Sequence, residues 1–247
     1  MTTMNTDAKA KNALKGRKPG FSKYREIQYG DVSSAFAIRA ECLFSILGPM
    51  PGAAGLFLRG KFYPSLLGAC GKNVVFGRNL TLRHPRKIRL GNDLIIDDNV
   101  VLDAKGASNK GITVGDSVFI GRNTIVYCKN GDIVLEHAVN ISSNCQIFSS
   151  NRVVIGAQSV VAAFTYILSG GQYDPDDKTT PFADQSGMIT RGPTTVGANC
   201  WLAAKVVIVD GVTVGNHCVI GAGSVVMKDI PPDSLAVGTP AKVVRSI

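Results

Sequence analysis

The sequence contains few of the residues that bind metals. Its three histidines show no metal-ligand spacing, and its six cysteines include no Cys-x-x-Cys pair. The acidic run "YDPDDK" lacks the ordered ligands and central glycine of a calcium loop. We therefore expect no metal site, and reduced thiols in a cytoplasmic protein. The cysteines are Cys42, Cys70, Cys128, Cys145, Cys200 and Cys218.

The net charge of +9 does not by itself predict a nucleic-acid partner. Residues 1–20 carry +4 of this charge, and we expect them to form a basic, disordered tail. No arginine-rich helix and no basic strip with interleaved aromatic residues follows the tail, so we expect no nucleic-acid binding. The charge remains compatible with small anionic ligands.

The sequence also lacks an uninterrupted apolar segment of membrane-spanning length. Residues 42–58 form an uncharged run of 17 residues, but Gly48-Pro49 and Pro51-Gly52 interrupt it. This pattern predicts two short amphipathic helices that pack on the main domain, with membrane-surface contact of residues 33–68 as the alternative. The polar N-terminus shows no signal peptide, so we expect a cytoplasmic protein that is at most peripheral to the inner membrane face.

Aliphatic residues recur at every sixth position over much of the chain. An amphipathic helix requires a spacing of three and four and a half-buried strand a spacing of two, so this period indicates a stacked repeat. Over the whole repeat the hexads fall into groups of three. The groups are Phe76/Leu82/Ile88, Leu90/Ile96/Leu102, Val114/Ile120/Val126, Leu135/Ile141/Ile147, Ile155/Val161/Ile167, Val196/Leu202/Ile208 and Val214/Ile220/Val226.

The insertions between groups always follow the third hexad. The longest separates Ile167 from Val196, over 29 residues. If three hexads make one coil, all insertions leave the same corner of a triangular solenoid whose coils bury their aliphatic residues against one another. We therefore predict a parallel β-helix of about seven coils over residues 73–230. A helical extension over 21–72 precedes it, an excursion loop protrudes at 168–195, and a C-terminal segment follows at 231–247.

The sequence resembles a known enzyme family. The hexads, together with "CWLAAKVVIVDGVTVG" and "VIGAGSVVMKDIPPDSLAVGTPAKVVRSI", resemble the left-handed β-helix acyltransferases of the maltose and galactoside O-acetyltransferase branch. The left hand of the helix follows from this resemblance. It also implies a homotrimer in which acetyl-CoA, or another acyl-CoA, lies in a groove between neighbouring prisms beside the acceptor hydroxyl.

The resemblance implies a set of cofactor-binding positions. Ala204 and Ala222 match family positions where a small residue admits pantetheine. Met227 and Lys228 match a Thr-Lys pair of the family, of which only the lysine is kept. Lys242 and Arg245 match basic residues that face the nucleotide phosphates, and such phosphates require positive groups. Trp201 we interpret as a packing residue at a corner.

The same resemblance places the catalytic position in the excursion loop. The family has a histidine there as general base, but this sequence has Gln172. Glutamine takes up no proton at neutral pH, so Asp174 or Tyr173 is a candidate substitute base for a hydroxyl acceptor. Further acceptor-site positions are Ser142 and Ser150, where the family has Asn and Asp, and Asn144, which is retained.

The sequence supports more than one function. The leading hypothesis is an acyl-CoA-dependent transferase that acetylates a sugar or polysaccharide precursor hydroxyl. The first alternative is N-acylation of an amino sugar or another amine, since a neutral amine already has a nucleophilic lone pair. The second is a catalytically inactive trimeric scaffold. An engineered inactive variant, in which glutamine deliberately replaces histidine, would show the same Gln172.

Overall fold

The computed structural model describes residues 20–247, so almost all of the predicted basic tail lies outside it. Three helices begin the described chain: Gly20–Tyr29 (α1), Ser34–Leu47 (α2) and Gly52–Phe62 (α3), followed by a 3-10 turn at Tyr63–Leu66. α2 and α3 are the two short helices predicted on either side of the Pro/Gly turn. No helix of residues 20–247 reaches the length and apolarity needed to cross a membrane.

The rest of the described chain winds into three sheets. Sheet A contains Ala69–Cys70 (β1), Ile88–Leu90 (β4), Ile112–Val114 (β7), Asp132–Leu135 (β10), Arg152–Ile155 (β13), Thr194–Val196 (β16) and Thr213–Val214 (β19). Sheet B contains Val75–Phe76 (β2), Ile95–Ile96 (β5), Phe119–Ile120 (β8), Asn140–Ile141 (β11), Val160–Val161 (β14), Trp201–Leu202 (β17), Val219–Ile220 (β20), Ser234–Gly238 (β22) and Ala241–Ser246 (β23). Sheet C contains Thr81–Arg83 (β3), Val101–Asp103 (β6), Ile125–Cys128 (β9), Gln146–Ser149 (β12), Tyr166–Ser169 (β15), Val207–Ile208 (β18) and Val225–Val226 (β21).

Each coil contributes one short strand to each sheet, and the predicted parallel solenoid is confirmed. Every third strand pairs in parallel, as β12 does with β9 and β15. Residues 69–226 make seven coils, and β22 opens an eighth on sheet B before β23 pairs with it antiparallel. The hexad aliphatics point inward and are buried, because each side chain packs against its counterparts in the coils above and below.

The first triplet is shifted relative to the prediction. Phe76 and Leu82 belong to the first coil, but its third inward residue is Cys70, which pairs with Leu90. Ile88 belongs to the second coil, where it pairs with Ile112 in strand β4. Both Ile88 and Leu90 are buried because residues two apart on a strand share a face. Strand β1 thus precedes the predicted start of the solenoid at residue 73.

The corners of the prism have different roles. We call the turns that join sheet B to sheet C strands the B–C corner, and those that join sheet C to sheet A strands the C–A corner. The long excursion, residues 170–193, leaves the C–A corner between β15 and β16. It starts at Gly170 and Gly171, whose φ values are +81° and +83°. A Cβ at Gly170 would lie 1.9 Å from Ser150 Oγ, so glycine is required for the chain to leave the coil here.

The N-terminal helices cover the open end of the first coil. Arg59 of α3 is 1% exposed and joins them to the solenoid. Its guanidinium donates hydrogen bonds to the carbonyl oxygens of Leu47, Met50 and Phe76, at 2.7 to 2.9 Å. A solenoid needs such a cover because its terminal coil has no further coil to pack on. Ile46 and Phe57 face outward on this cover, and membrane-surface contact of residues 33–68 stays a prediction.

A buried histidine links α1 to the first coil and makes stability depend on pH. His84 lies under Gly30, with Nε2 3.2 Å from the carbonyl oxygen of Ile27. Burial lowers its pKa below the ordinary 6.5, against a smaller opposing effect of Asp103. The folded state therefore binds fewer protons than the unfolded state below pH 6.5, so acid favours unfolding.

We expect the free energy of unfolding to fall as the pH is lowered from 6.5 through the depressed pKa of His84. In His84→Asn this component should be absent, and asparagine tolerates the left-handed backbone of this position, where φ is +51°. Urea unfolding at a series of pH values measures the slope of the free energy of unfolding against pH. His137→Asn, on an exposed turn, is the control and should retain it. An unchanged slope in His84→Asn would contradict this assignment.

Candidate functional site

A buried carboxylate organises the base of the excursion. Asp210, at the C–A corner one coil beyond the excursion, is fully buried. Its Oδ1 accepts hydrogen bonds from Gly170 N and from Thr190 Oγ1, the latter at 2.9 Å. Its Oδ2 accepts from Arg191 N at 2.5 Å and from Gln172 Nε2 at 2.9 Å. Both ends of the excursion are thereby fixed to one side chain of the next coil.

Gln172 lies where the two ends of the excursion come together. Its backbone pairs antiparallel with Ile189, with N–H···O distances of 3.1 and 3.2 Å. The preceding Gly171 packs on Phe148, whose ring lies 4.8 Å from that of Tyr127 on the outer side of sheet C. The half-buried Gln172 side chain is therefore held by Asp210, next to the residue that packs on Phe148.

Tyr173 and Asp174 have contacts of a different kind. Tyr173 is 48% exposed and packs edge-to-face on Phe182. Asp174 is exposed, and its Oδ1 accepts a hydrogen bond from Asp176 N at 2.9 Å. Hydrogen bonds from Thr179 and Thr180 hold the pKa of the neighbouring Asp177 well below its usual range. The acidic run is thus an internally bonded loop, and no group of three or more metal-binding side chains occurs in residues 20–247.

The structure brings one of the predicted acceptor-site residues close to Gln172 and separates two others. Ser150 adjoins Gly170 and donates to Ser169 O at 3.3 Å. Ser142 and Asn144 lie at the B–C corner, across the four-residue strand β12, a span of about 13 Å. These two positions therefore do not share a site with Gln172 within one chain.

Asn144 also has a structural role that the sequence analysis did not assign. Asparagines of four successive coils occupy the same left-handed position at the B–C corner, with φ between 54° and 59°. Their side-chain amides donate from each coil to the next, at 3.2 to 3.3 Å. This ladder accounts for an asparagine at 144 without any ligand. Its members are Asn79, Asn99, Asn123 and Asn144.

Two predicted pantetheine positions are neighbours. Ala204 and Ala222 lie in successive turns of the B–C corner, where Gly223 N donates to Ala204 O at 2.9 Å. Lys242 lies close to them, because it pairs with Val237 of β22 and Val237 contacts Gly221. The small side chains leave the backbone of this corner accessible next to a lysine.

The other predicted cofactor residues lie elsewhere on the last coils. Met227 and Lys228 follow β21 at the C–A corner, and both are exposed. Because β18 and β21 pair Ile208 with Val226, Lys228 stacks directly on the coil position of Asp210. Arg245 pairs with Leu235 at the far end of β23 from Lys242. Gln172, Asp210 and Lys228 thus share one corner, whereas Ala204, Ala222 and Lys242 share another.

The interpretation of Trp201 as a corner packing residue is wrong. Its side chain is 54% exposed on the outer face of sheet B, because its strand neighbour Leu202 takes the inward position. Paired residues from successive coils continue an outward row along this face, in which all but Asn140 are apolar. The row is Val75, Ile95, Phe119, Asn140, Val160, Trp201, Val219 and Leu235.

The repeat itself matches a family model. Residues 193–228, which supply strands β16 to β21, match the model described as bacterial transferase hexapeptide (six repeats). Over these residues the chain is similar to the hexapeptide-repeat transferases. The match covers the two coils that contain Asp210, Ala204, Ala222 and Lys228.

Curated relatives extend the similarity. The Mycobacterium tuberculosis protein named Probable acetyltransferase Rv3034c is 30% identical over 166 residues, which are 65% of this chain and 54% of that protein. Galactoside O-acetyltransferase of Escherichia coli is 49% identical over 63 residues, 26% of this chain and 31% of that protein. The chain thus matches at most about half of the length of these relatives.

Solved structures show the same fold. The polySia-specific acetyltransferase NeuO superposes with a TM-score of 0.54 and 21% identity, over 72% of this chain and 80% of its own. The polysialic acid O-acetyltransferase OatWY gives a TM-score of 0.53 and 21% identity, over 72% of this chain and 81% of its own. At this identity the likeness supports the parallel β-solenoid fold alone.

Asp210 is the residue of this site that the sequence analysis missed. It stands in "VIVDGVTVG", two residues after the inward Ile208, and thus reads as an ordinary hexad turn residue. A signal was present, because Asp210 is the acidic turn residue in the coil directly after the long insertion. Its contact with Gln172 spans 38 residues and depends on how the coils stack.

Proposed function

We propose that the chain is an acyl-CoA-dependent acyltransferase that uses acetyl-CoA and acts on a sugar-type acceptor. The observation that carries this proposal is the arrangement of Gln172, Asp210 and Lys228 on one corner of three successive coils. A polar side chain for the acceptor and a lysine for cofactor phosphate are thereby aligned beside an excursion loop. The names of the curated relatives, which include a galactoside O-acetyltransferase, support the acetyl donor and the sugar class.

We propose further that the site is completed by neighbouring copies in a homotrimer. Within one chain, the Ala204/Ala222 turns and Gln172 lie at opposite edges of sheet C. A second copy that placed its C–A corner against the B–C corner of the first would bring both sets to one groove. The outward apolar row on sheet B, with Trp201 and Ile95 about half exposed, supports close contact between copies.

The expected assembly is a C3 trimer at micromolar concentration, because closed cyclic symmetry completes three equivalent grooves. Light scattering coupled to size exclusion measures the mass. Trp201→Lys and Ile95→Lys should shift the protein toward monomer, since each places a charge within the apolar row. Lys110→Glu, an exposed substitution in the loop 104–111 between β6 and β7, serves as the control. A wild-type monomer of 26.1 kDa would contradict the trimer.

The activity itself is tested by release of free CoA thiol from acetyl-CoA. The acceptor panel consists of sugars, amino sugars and nucleotide sugars, and calorimetry measures CoA binding separately. Binding together with acceptor-dependent thiol release supports the proposal. Binding without release with any acceptor would favour an inactive scaffold, and absence of CoA binding would reject the cofactor site altogether.

A further inference from the structure

The Gln172–Asp210 contact determines which end of the glutamine amide faces a ligand. A carboxylate only accepts hydrogen bonds, so the NH₂ group of Gln172 must face Asp210 Oδ2, 2.9 Å away. This removes the ambiguity between amide oxygen and nitrogen that otherwise exists for glutamine. The amide oxygen, Oε1, is therefore the atom of this side chain that can meet an acceptor, and it can only accept a hydrogen bond.

Asp210 is not placed to act as a base. A carboxylate offers about four lone-pair positions, and Asp210 accepts four hydrogen bonds, two on each oxygen. It is also fully buried beneath the excursion. Its role is to hold the excursion and to orient Gln172, and not to take a proton from an acceptor.

The described chain places no histidine beside Gln172. Lys228 and Arg191 carry positively charged groups, Lys129 donates to Ser186 O, and the Asp174 carboxylate is exposed on the loop, where its Oδ1 accepts from Asp176 N. The three histidines lie elsewhere, with His137 and His217 between sheet A and sheet B strands and His84 in the first coil. A hydroxyl acceptor would need a group that removes its proton at neutral pH, whereas an amine in its neutral form would not.

We propose that Asp210 is a positioning residue that commits Gln172 to accept a hydrogen bond from an amino group, and that the acceptor is a primary amine. This inference rests on the proposed acyl transfer from acyl-CoA. Gln172 Oε1 accepts a hydrogen bond from the amine N–H while the nitrogen lone pair attacks the thioester carbonyl carbon. A C–N bond forms and the C–S bond breaks. The proton lost by nitrogen neutralises the CoA thiolate, so amine and acyl-CoA give amide and CoA thiol.

The test compares matched acceptors with the wild-type protein. The pairs are glucosamine with glucose and ethanolamine with ethylene glycol, each with acetyl-CoA, and thiol release is corrected for the reaction without enzyme. We expect at least 10-fold faster release with the amine of each pair. The rate should rise with pH through the pKa of the amine used, and its midpoint should move when the amine is changed, since the titrating group belongs to the acceptor.

Variants separate positioning from stability. Asp210→Asn places an NH₂ group toward two of the four donors, so we expect the KM for the amine to rise about 10-fold while CoA affinity changes less than 2-fold. The matched control is Asp132→Asn, because Asp132 Oδ1 accepts from the backbone N of Lys110 and Gly111 and closes the loop 104–111 between β6 and β7 in the same manner. Asp132→Asn should at most lower the free energy of unfolding, and it should leave the KM for the amine unchanged.

A double-mutant cycle with Gln172→Ala tests whether Asp210 acts through Gln172. In the Gln172→Ala background, Asp210→Asn should raise the KM for the amine by a smaller factor than it does in the wild type. Equal or faster release with the hydroxyl partners, or no amine-dependent release from a protein that binds CoA, would overturn the amine assignment but leave the cofactor site standing. Failure to bind CoA would instead reject the proposed function. If Asp132→Asn raised the amine KM equally, the positioning role would be rejected.

Discussion

Replacing Gln172 with histidine is expected to raise transfer to a hydroxyl acceptor by about 10²-fold, the lower part of the range for a positioned general base. The physical reason is the carboxylate that now binds the glutamine amide. Asp210 Oδ2 would accept the N–H of one imidazole nitrogen and leave the other free to take the hydroxyl proton, as in base–carboxylate pairs of other enzymes. Thiol release with glucose or a nucleotide sugar measures the gain.

The gained activity should fall as the pH drops through the pKa of the new imidazole, because only its neutral form accepts a proton. Gln172→Asn is the matched control, since it keeps an amide and provides no base, and it should show no gain. Transfer to an amine should change little in Gln172→His. Robust wild-type transfer to a sugar hydroxyl that is abolished by Asp174→Asn and insensitive to Gln172→Ala would move the base to Asp174.

Removal of a positive charge from Lys228 or from Arg245 is expected to weaken CoA binding by about 1 to 3 kcal/mol, or roughly 5- to 150-fold in Kd. Both side chains are exposed on the last coils, at the C–A corner and on β23. Exposed charges are screened by salt, so the loss should be larger at low than at high ionic strength. Isothermal titration calorimetry with Lys228→Ala and Arg245→Ala measures it.

The control for both variants is Lys110→Ala, which replaces an exposed lysine in the loop 104–111 between β6 and β7 and should leave CoA affinity unaltered. Lys228 and Arg245 lie on separate corners of the prism. If both face the same cofactor across a subunit contact, the losses of CoA binding free energy in the two variants should therefore add. Unchanged affinity in both variants would remove these residues from the cofactor site. A loss in only one would show which corner of the prism receives the phosphates.

The hexad period was sufficient to predict most of the fold. Leu135, Ile141 and Ile147 stand six positions apart and can all be buried only if each points to the inside of its coil, so period and phase followed from the sequence. The position of the excursion followed as well, because insertions fall after Ile167 and its equivalents. The prediction was weakest at the first coil, where Cys70 takes an aliphatic position and Ile88 adds a second inward residue to its strand.

The sequence by itself thus determined the solenoid and the corner from which the excursion leaves, and its resemblance to the sugar O-acetyltransferases predicted that Gln172 stands at a catalytic-histidine position. Only the tertiary structure decided that Gln172 is bound by Asp210, that Asn144 belongs to a ladder of turn amides, and that Trp201 faces outward. The physical reason is that hexad spacing specifies which side chains point inward. Hydrogen bonds between turns depend instead on which coils are stacked, and an insertion of variable length separates those partners along the chain.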